Sequence, residues 1–146
     1  MLTFTTKADT LRALAGRLKT AQVLPQVCLP VQGLQADPRR ILTLLKEVGL
    51  SDQRLIVRSS ARNEDTAESS NAGKYLSIAD VAGDGAVLDA VSQVVEAMGQ
   101  EPENQVFVQP FLAQVELCGV SFTMDPSTGG NYYILNYDDT TGSTSS

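Results

Sequence analysis

The segment VRSSARNED, which begins at Val57, holds the residues of this sequence that are most able to do chemistry. Arg58 follows an apolar run, and its planar guanidinium can donate paired hydrogen bonds to phosphate or carboxylate oxygens. Ser59, Ser60 and the backbone N–H groups after them could add further donors around an anion. These residue types, at the end of a predicted buried strand, indicate an anion site.

Two acids follow Arg58 closely, Glu64 and Asp65. Carboxylates do not face a phosphate unless a metal ion lies between them, so they could instead orient Arg58. They could equally form a structural ion pair with it. From the residues alone, the anion site and the ion pair both remain open.

Two further stretches could contact a ligand. In SNAGKY, Gly73 allows close approach of the backbone or a positive φ, although most loop glycines simply form turns. In VFVQPFL, Pro110 lacks an N–H, so backbone groups beside Gln109 could be free to bind a base in a slot lined by Phe111 and Leu112. The structural alternative for this stretch is an ordinary strand end.

The elements that would position these residues follow from the apolar periodicity. Helices are predicted in KADTLRAL, with Thr6 and Asp9 as a capping box, in DPRRILTLLKEV, with Asp37 as N-cap and Pro38 at N1, and in DGAVLDAVSQVVEAM. Strands are predicted in QVCLPV, RLIVR, KYLSI, QVFVQ, ELCGVSFTM and NYYILNY, the last two forming a hairpin around DPSTGG. The order predicts an α+β fold with a mixed sheet flanked by helices.

Composition excludes several classes of protein. The net charge of −6 argues against a nucleic-acid surface, and there is no apolar run long enough for a membrane span. The sequence contains no histidine, so neither catalysis by histidine nor metal binding by histidine is available to these residues. The two cysteines, Cys28 and Cys118, lie far apart in apolar settings, and they predict reduced thiols in a cytoplasmic protein.

Three of these blocks together resemble one family. VRSSARNEDTAESSNAGKY, VFVQPFL and GVSFTMDPSTGG, in this order, are similar to the nucleotide-binding domain of the dikinases, which include phosphoenolpyruvate synthase and pyruvate phosphate dikinase. KADTLRAL resembles, more weakly, the block that opens the same domain. The resemblance implies the first half of an ATP-grasp domain spanning residues 1–146, with opening helices and a strand in 1–55. Residues 56–146 would hold the phosphate loop, the long helix and the adenine-hinge sheet.

The resemblance also implies roles for single residues. Lys7 and Arg58 would contact the phosphates of ATP, with Ser59, Ser60, Glu64 and Gly73 in the same loop region. Residues 109–112 would hold adenine, and Mg²⁺ would take its ligands chiefly from the missing half of the domain. No metal ligand is assigned in this segment.

The sequence departs from the family pattern at three positions. Thr6 stands where the family has a glycine, Phe111 replaces a hinge methionine, and Met124 replaces an arginine. Thr6 places the role of Lys7 in question, and Met124 removes one possible phosphate contact.

The resemblance predicts the ATP-binding part of a phosphotransferase that passes a phosphoryl group through a downstream domain. Since the acidic and Q-x-R-P strands of the second half are absent, this chain is not expected to be active without the remaining domains. One alternative is a module of the same half-fold that binds a nucleotide or partner without turnover. Another is a structural domain without a ligand. A half-domain with exposed apolar surface could also self-associate.

Overall fold

The computed structural model describes residues 6–61 and 75–140, which form two compact units that divide after Phe111. The predicted subdivision into residues 1–55 and 56–146 follows the order of elements and stays a prediction. The described elements of the first unit are α1 (Lys7–Leu14), β1 (Val27–Pro30), α2 (Val31–Ala36), α3 (Arg40–Glu47), β2 (Leu55–Ser60), β3 (Ser77–Val81), α4 (Asp84–Met98) and β4 (Gln105–Pro110).

Local sequence signals explain where most of these helices begin and end. Thr6 caps α1, and its side chain accepts a hydrogen bond from the Asp9 N–H as predicted. Gly99 follows α4 with φ of 82°, a conformation that glycine adopts without steric cost. The N-cap of α4 is Gly83, and Asp84 lies in the first turn, where its charge favours the helix dipole.

Two helix predictions need correction. α3 begins at Arg40 with Arg39 as its N-cap, and the Asp37 carboxylate accepts from the Arg39 N–H at 3.0 Å in the turn before the helix. α2 was not predicted at all. It is six residues long, and it follows Pro30 directly.

The four strands form one sheet in the order β1-β4-β2-β3, and each of its pairs is antiparallel. The α+β class is confirmed, whereas the sequence predicted a sheet with both parallel and antiparallel pairs. β4 lies between β1 and β2, so its residues 106–109 are buried. The register places Phe107 opposite Cys28 on one side and opposite Arg58 on the other.

Alternation along the strands gives the sheet two different faces. The first face packs against α2, α3 and α4 and holds the main apolar core, with residues such as Val57, Val106 and Val108. The second face carries Arg58, Phe107 and Cys28 in one row, and we call it the Arg58 face. The first turn of α1 contacts the Arg58 face through Ser60.

The second unit is built on an antiparallel hairpin of β5 (Cys118–Phe122) and β6 (Ile134–Asp138). Asp125 organises the turn between the strands: its carboxylate accepts from the Ser127 N–H at 2.8 Å and from the Thr128 hydroxyl at 2.6 Å. The predicted hairpin is therefore confirmed. Many of its apolar side chains are exposed, including Leu135 and Tyr137, which are both 70% exposed.

Within residues 6–61 and 75–140, the structure holds no helix with the length and apolar character of a membrane span.

Candidate functional site

Arg58 lies on β2, one of the two inner strands of the sheet, beside an aromatic ring. Its guanidinium carbon is 5.4 Å from the centroid of the Phe107 ring, which places the cation over the aromatic face. Its Nε is buried and has no hydrogen-bond acceptor among the described residues. A buried donor without an acceptor costs about 1–3 kcal/mol. This arrangement is suited to an anionic ligand that supplies the acceptor.

The competing interpretation, an ion pair of Arg58 with Glu64 or Asp65, involves residues outside the described ranges. Gly73 lies there too, so the predicted roles of Glu64 and Gly73 stay predictions. Within the described ranges, no carboxylate forms an ion pair with Arg58.

The first turn of α1 is held on the Arg58 face by two strands. The Ala8 N–H donates to Ser60 Oγ of β2 at 3.0 Å, and Thr6 Oγ1 lies 3.0 Å from Gln105 Oε1 of β4. Ser60 and Gln105 are directly opposite each other in the sheet. Lys7 lies between Thr6 and Ala8 in the chain and is exposed. The backbone of Lys7 is therefore fixed beside Ser60, two residues along β2 from Arg58.

The two adjacent serines lie on opposite faces of the sheet. Ser60 is fully buried on the Arg58 face, where it accepts from α1. Ser59 is opposite Val106, so its side chain points to the apolar core, and its N–H donates to the Leu76 carbonyl at 3.2 Å. The structure therefore separates the two serine side chains, and the predicted roles of Ser59 and Ser60 in ligand binding stay predictions.

The predicted adenine hinge is placed only in part as expected. Gln109 is buried on the Arg58 face, next to Ile56 and diagonal to Arg58. The Phe111 N–H donates to the Arg54 carbonyl at 2.8 Å, so this backbone donor is not free for a base as the sequence suggested. Leu112 is 56% exposed and belongs to the second unit.

Three polar or aromatic residues of this face were missed from the sequence. Phe107 and Gln105 alternate with Gln109 along β4, and that period-two spacing could have identified them. Gln26 carried no such signal. Its Nε2 donates to the Ala8 carbonyl at 2.8 Å, while its buried Oε1 has no partner in the described part of the chain.

Cys28 shares the Arg58 face, but its thiol is not activated. Burial raises the pKa of Cys28 to about 11, against the opposing effect of the nearby Arg12 cation. The thiol is thus protonated at neutral pH and is a poor nucleophile. Both cysteines are free, as the sequence predicted.

The described residues do not fit a metal centre of their own. They contain no group of three or more His, Cys, Asp or Glu side chains placed to hold a metal ion. Any Mg²⁺ that accompanies a bound nucleotide would need ligands from other parts of the protein or from the phosphates themselves.

Comparison with known proteins decides the family. The model of the family described as pyruvate phosphate dikinase, AMP/ATP-binding domain, matches residues 6–102, which is more than half of the chain. The chain belongs to this family. No curated protein and no solved structure matches it.

Membership confirms the predicted dikinase-type ATP-binding domain and the α+β class. The matched residues of this dikinase domain include Lys7 and Arg58, and they end before β4. Consequently, the adenine hinge at Gln109 depends on the resemblance of VFVQPFL and on the position of this strand in the sheet.

Proposed function

We propose that ATP binds on the Arg58 face, with its triphosphate between Arg58 and Lys7 and its adenine toward Gln109. The family gives AMP or ATP binding by a dikinase; the location of the nucleotide is the proposal. We further propose that the domain is the first half of an ATP-grasp domain in a phosphotransferase. A downstream domain would receive the phosphoryl group, because this sequence has no histidine that could carry it.

One observation carries this proposal: the buried Nε of Arg58 that has no acceptor among the described residues. The guanidinium carbon lies 5.4 Å from the centroid of the Phe107 ring, and the fork of donors that arginine carries matches the oxygens of a phosphate. A phosphate oxygen would satisfy this donor. It would also place negative charge beside the Lys7 turn of α1.

In this arrangement the protein contributes positioning and charge. Phosphoryl transfer depends on cations that stabilise negative charge on the phosphate oxygens and hold the reacting groups in line. Arg58 and Lys7 would provide the cations on one side of the nucleotide. We propose that Mg²⁺ and the opposing clamp come from the remaining domains of a cytoplasmic enzyme, which are its partners in catalysis.

Replacing Arg58 tests this site directly. We expect Arg58→Ala to weaken ATP binding by about 1–3 kcal/mol, the range for a charged hydrogen bond. Isothermal titration calorimetry with Mg·ATP on the full-length protein measures the change. Arg40→Ala is the matched control, since Arg40 is an exposed arginine on α3, which packs on the other face of the sheet. Unchanged ATP affinity in a folded Arg58→Ala variant would instead favour the ion pair with Glu64 or Asp65.

The exposed apolar side chains of the hairpin support a second candidate function, contact with another protein surface. Leu135 and Tyr137 are both 70% exposed, which is unusual for a surface that stays in water. The partner would be another domain of the full-length protein or a second copy of this chain. A module that binds nucleotide and partner without turnover would show ATP affinity but no phosphoryl transfer in the full-length protein.

A further inference from the structure

Thr6, Asp9 and Gln105 form a closed set of hydrogen bonds that joins α1 to β4. Thr6 Oγ1 accepts from the Asp9 N–H at 3.2 Å, and it lies 2.9 Å from Asp9 Oδ2 and 3.0 Å from Gln105 Oε1. Gln105 Nε2 in turn donates to Asp9 Oδ2 at 3.4 Å. The Thr6 hydroxyl has one hydrogen, and both Asp9 Oδ2 and Gln105 Oε1 lie within hydrogen-bond distance to accept it. We call this set the anchor ring.

The anchor ring is more than a helix cap. A capping box needs only Thr6 and Asp9, which are both in the α1 segment, whereas Gln105 is the first residue of the central strand β4. Thr6 is only 3% exposed, so its hydroxyl is shielded from competing water. Gln105 thus fixes the position of α1 relative to β4.

The anchor ring fixes the position of the Lys7 backbone. Its backbone lies between Thr6, which is held by Gln105, and Ala8, which is held by Ser60. Both attachment points are in one row of the sheet, and Arg58 is two residues along β2, roughly 7 Å away. When Lys7 binds a ligand, its long side chain loses rotamer freedom. Because its backbone is already held in place, binding does not cost backbone entropy as well.

We propose that Gln105 is a positioning residue for nucleotide binding: through the anchor ring it holds the Lys7 turn against the Arg58 face, where Lys7 meets the phosphates. This inference depends on the proposed function.

Gln105→Met tests the proposal, since it keeps the length of the side chain and removes both of its hydrogen bonds. We expect ATP to bind about fivefold more weakly, the effect of one lost hydrogen bond. Adenosine, which has no phosphates, should bind with unchanged affinity.

In a Lys7→Met background, Gln105→Met should not lower the affinity for ATP further, because the effects of coupled residues are not additive. Calorimetry measures all four proteins in their full-length form.

Three other variants control for folding and for the chemistry of the ring. Thr6→Val breaks the ring from the helix side and should reproduce the loss, whereas Thr6→Ser keeps the hydroxyl and should retain affinity. Gln53→Met removes an exposed glutamine hydrogen bond to the Gly49 carbonyl, away from the Arg58 face, and should change nothing.

The outcomes separate this inference from the proposed function. Equal losses for ATP and adenosine, or equal losses with and without Lys7, would show that Gln105 acts only on stability and would overturn the inference. If Lys7→Met leaves ATP affinity unchanged while Arg58→Ala lowers it, the ATP site stands and the positioning role fails. No effect of Arg58→Ala, or no ATP binding by the unmodified full-length protein, would overturn the proposed function itself.

Discussion

Arg58 depends on Phe107 for its orientation. The ring is fully buried and lies on the partner strand directly opposite the arginine, so the guanidinium is supported by an aromatic face and not by a carboxylate of the described residues. A cation held this way keeps its donors available. An arginine tied to an acid would first have to break that pair before it could bind phosphate.

We therefore expect Phe107→Leu to have two effects. Unfolding should become easier by about 1–2 kcal/mol, because a smaller side chain leaves unfilled space in a packed site. ATP affinity should fall about threefold, since the cation–π contact is lost. Urea denaturation and calorimetry measure the two quantities.

Val108→Ala is the control for this pair of measurements. Val108 is fully buried on the opposite face of β4, so its truncation should lower stability and leave ATP affinity unchanged. A drop in affinity of equal size in both variants would mean that Phe107 supports the sheet and not Arg58.

At the scale of elements, the Asp125 turn is held by an ionised carboxylate. Hydrogen bonds from the Thr128 hydroxyl, the Tyr132 hydroxyl and the Ser127 N–H lower the pKa of Asp125 to about 2. Because the folded pKa is below the ordinary value of 3.8, the carboxylate stabilises the turn above about pH 4. That contribution is lost as the pH falls toward 2.

The titration of Asp125 gives a test of the turn. Carbon-13 NMR of the side-chain carboxyl should report a pKa near 2 in the unmodified chain. Thr128→Val, which removes the donor with the largest effect, should raise the pKa toward its ordinary value. In Asp125→Asn, the amide shift of Ser127 should no longer change between pH 4 and 2. An ordinary pKa in the unmodified chain would contradict this geometry.

Local signals predicted the long elements and failed for short or distant ones. α4 has an apolar stripe over 15 residues and a glycine after its end, and the structure confirms it. α2 has six residues that include Gly33, too short for a periodic pattern to emerge. The strand order was not predicted, because pairing between β1 and β4 joins segments that share no local signal.

The same limit applies to the candidate site: features that depend on residue type were predicted, and features that depend on strand pairing were not. Arg58 was identified from its type and its place at the end of an apolar run. Its contact with Phe107 and the attachment of α1 through Gln105 depend on the register of the sheet. The separation of Ser59 from Ser60 did follow from strand alternation, but only once β2 was known to continue through both residues.

At the scale of the whole molecule, the hairpin of the second unit has little apolar contact of its own. Tyr133, Leu135 and Tyr137 alternate along one side of the chain and are 76%, 70% and 70% exposed. A two-stranded hairpin is marginally stable in water without a covering layer. We therefore expect another domain of the full-length protein, or a second copy of this chain, to cover these side chains.

For the isolated chain, that surface predicts concentration-dependent self-association. Sedimentation equilibrium should show an average mass that rises with protein concentration, and Tyr137→Lys should reduce the rise, because a buried lysine without a partner is costly. Leu18→Lys is the control, since Leu18 is also exposed but lies in the first unit. A chain that stays monomeric at every concentration would refute the prediction.

The central place of β4 also has a consequence for biosynthesis. β1 and β2 do not pair with each other; both pair with residues 105–110, which are the last of the four strands to be made. On the ribosome, the helices and the β2–β3 pair can form early, but β1 cannot join the sheet before that late segment emerges. We therefore expect added protease to cleave a nascent chain that is arrested before residue 105. A chain extended well beyond residue 110 should resist cleavage.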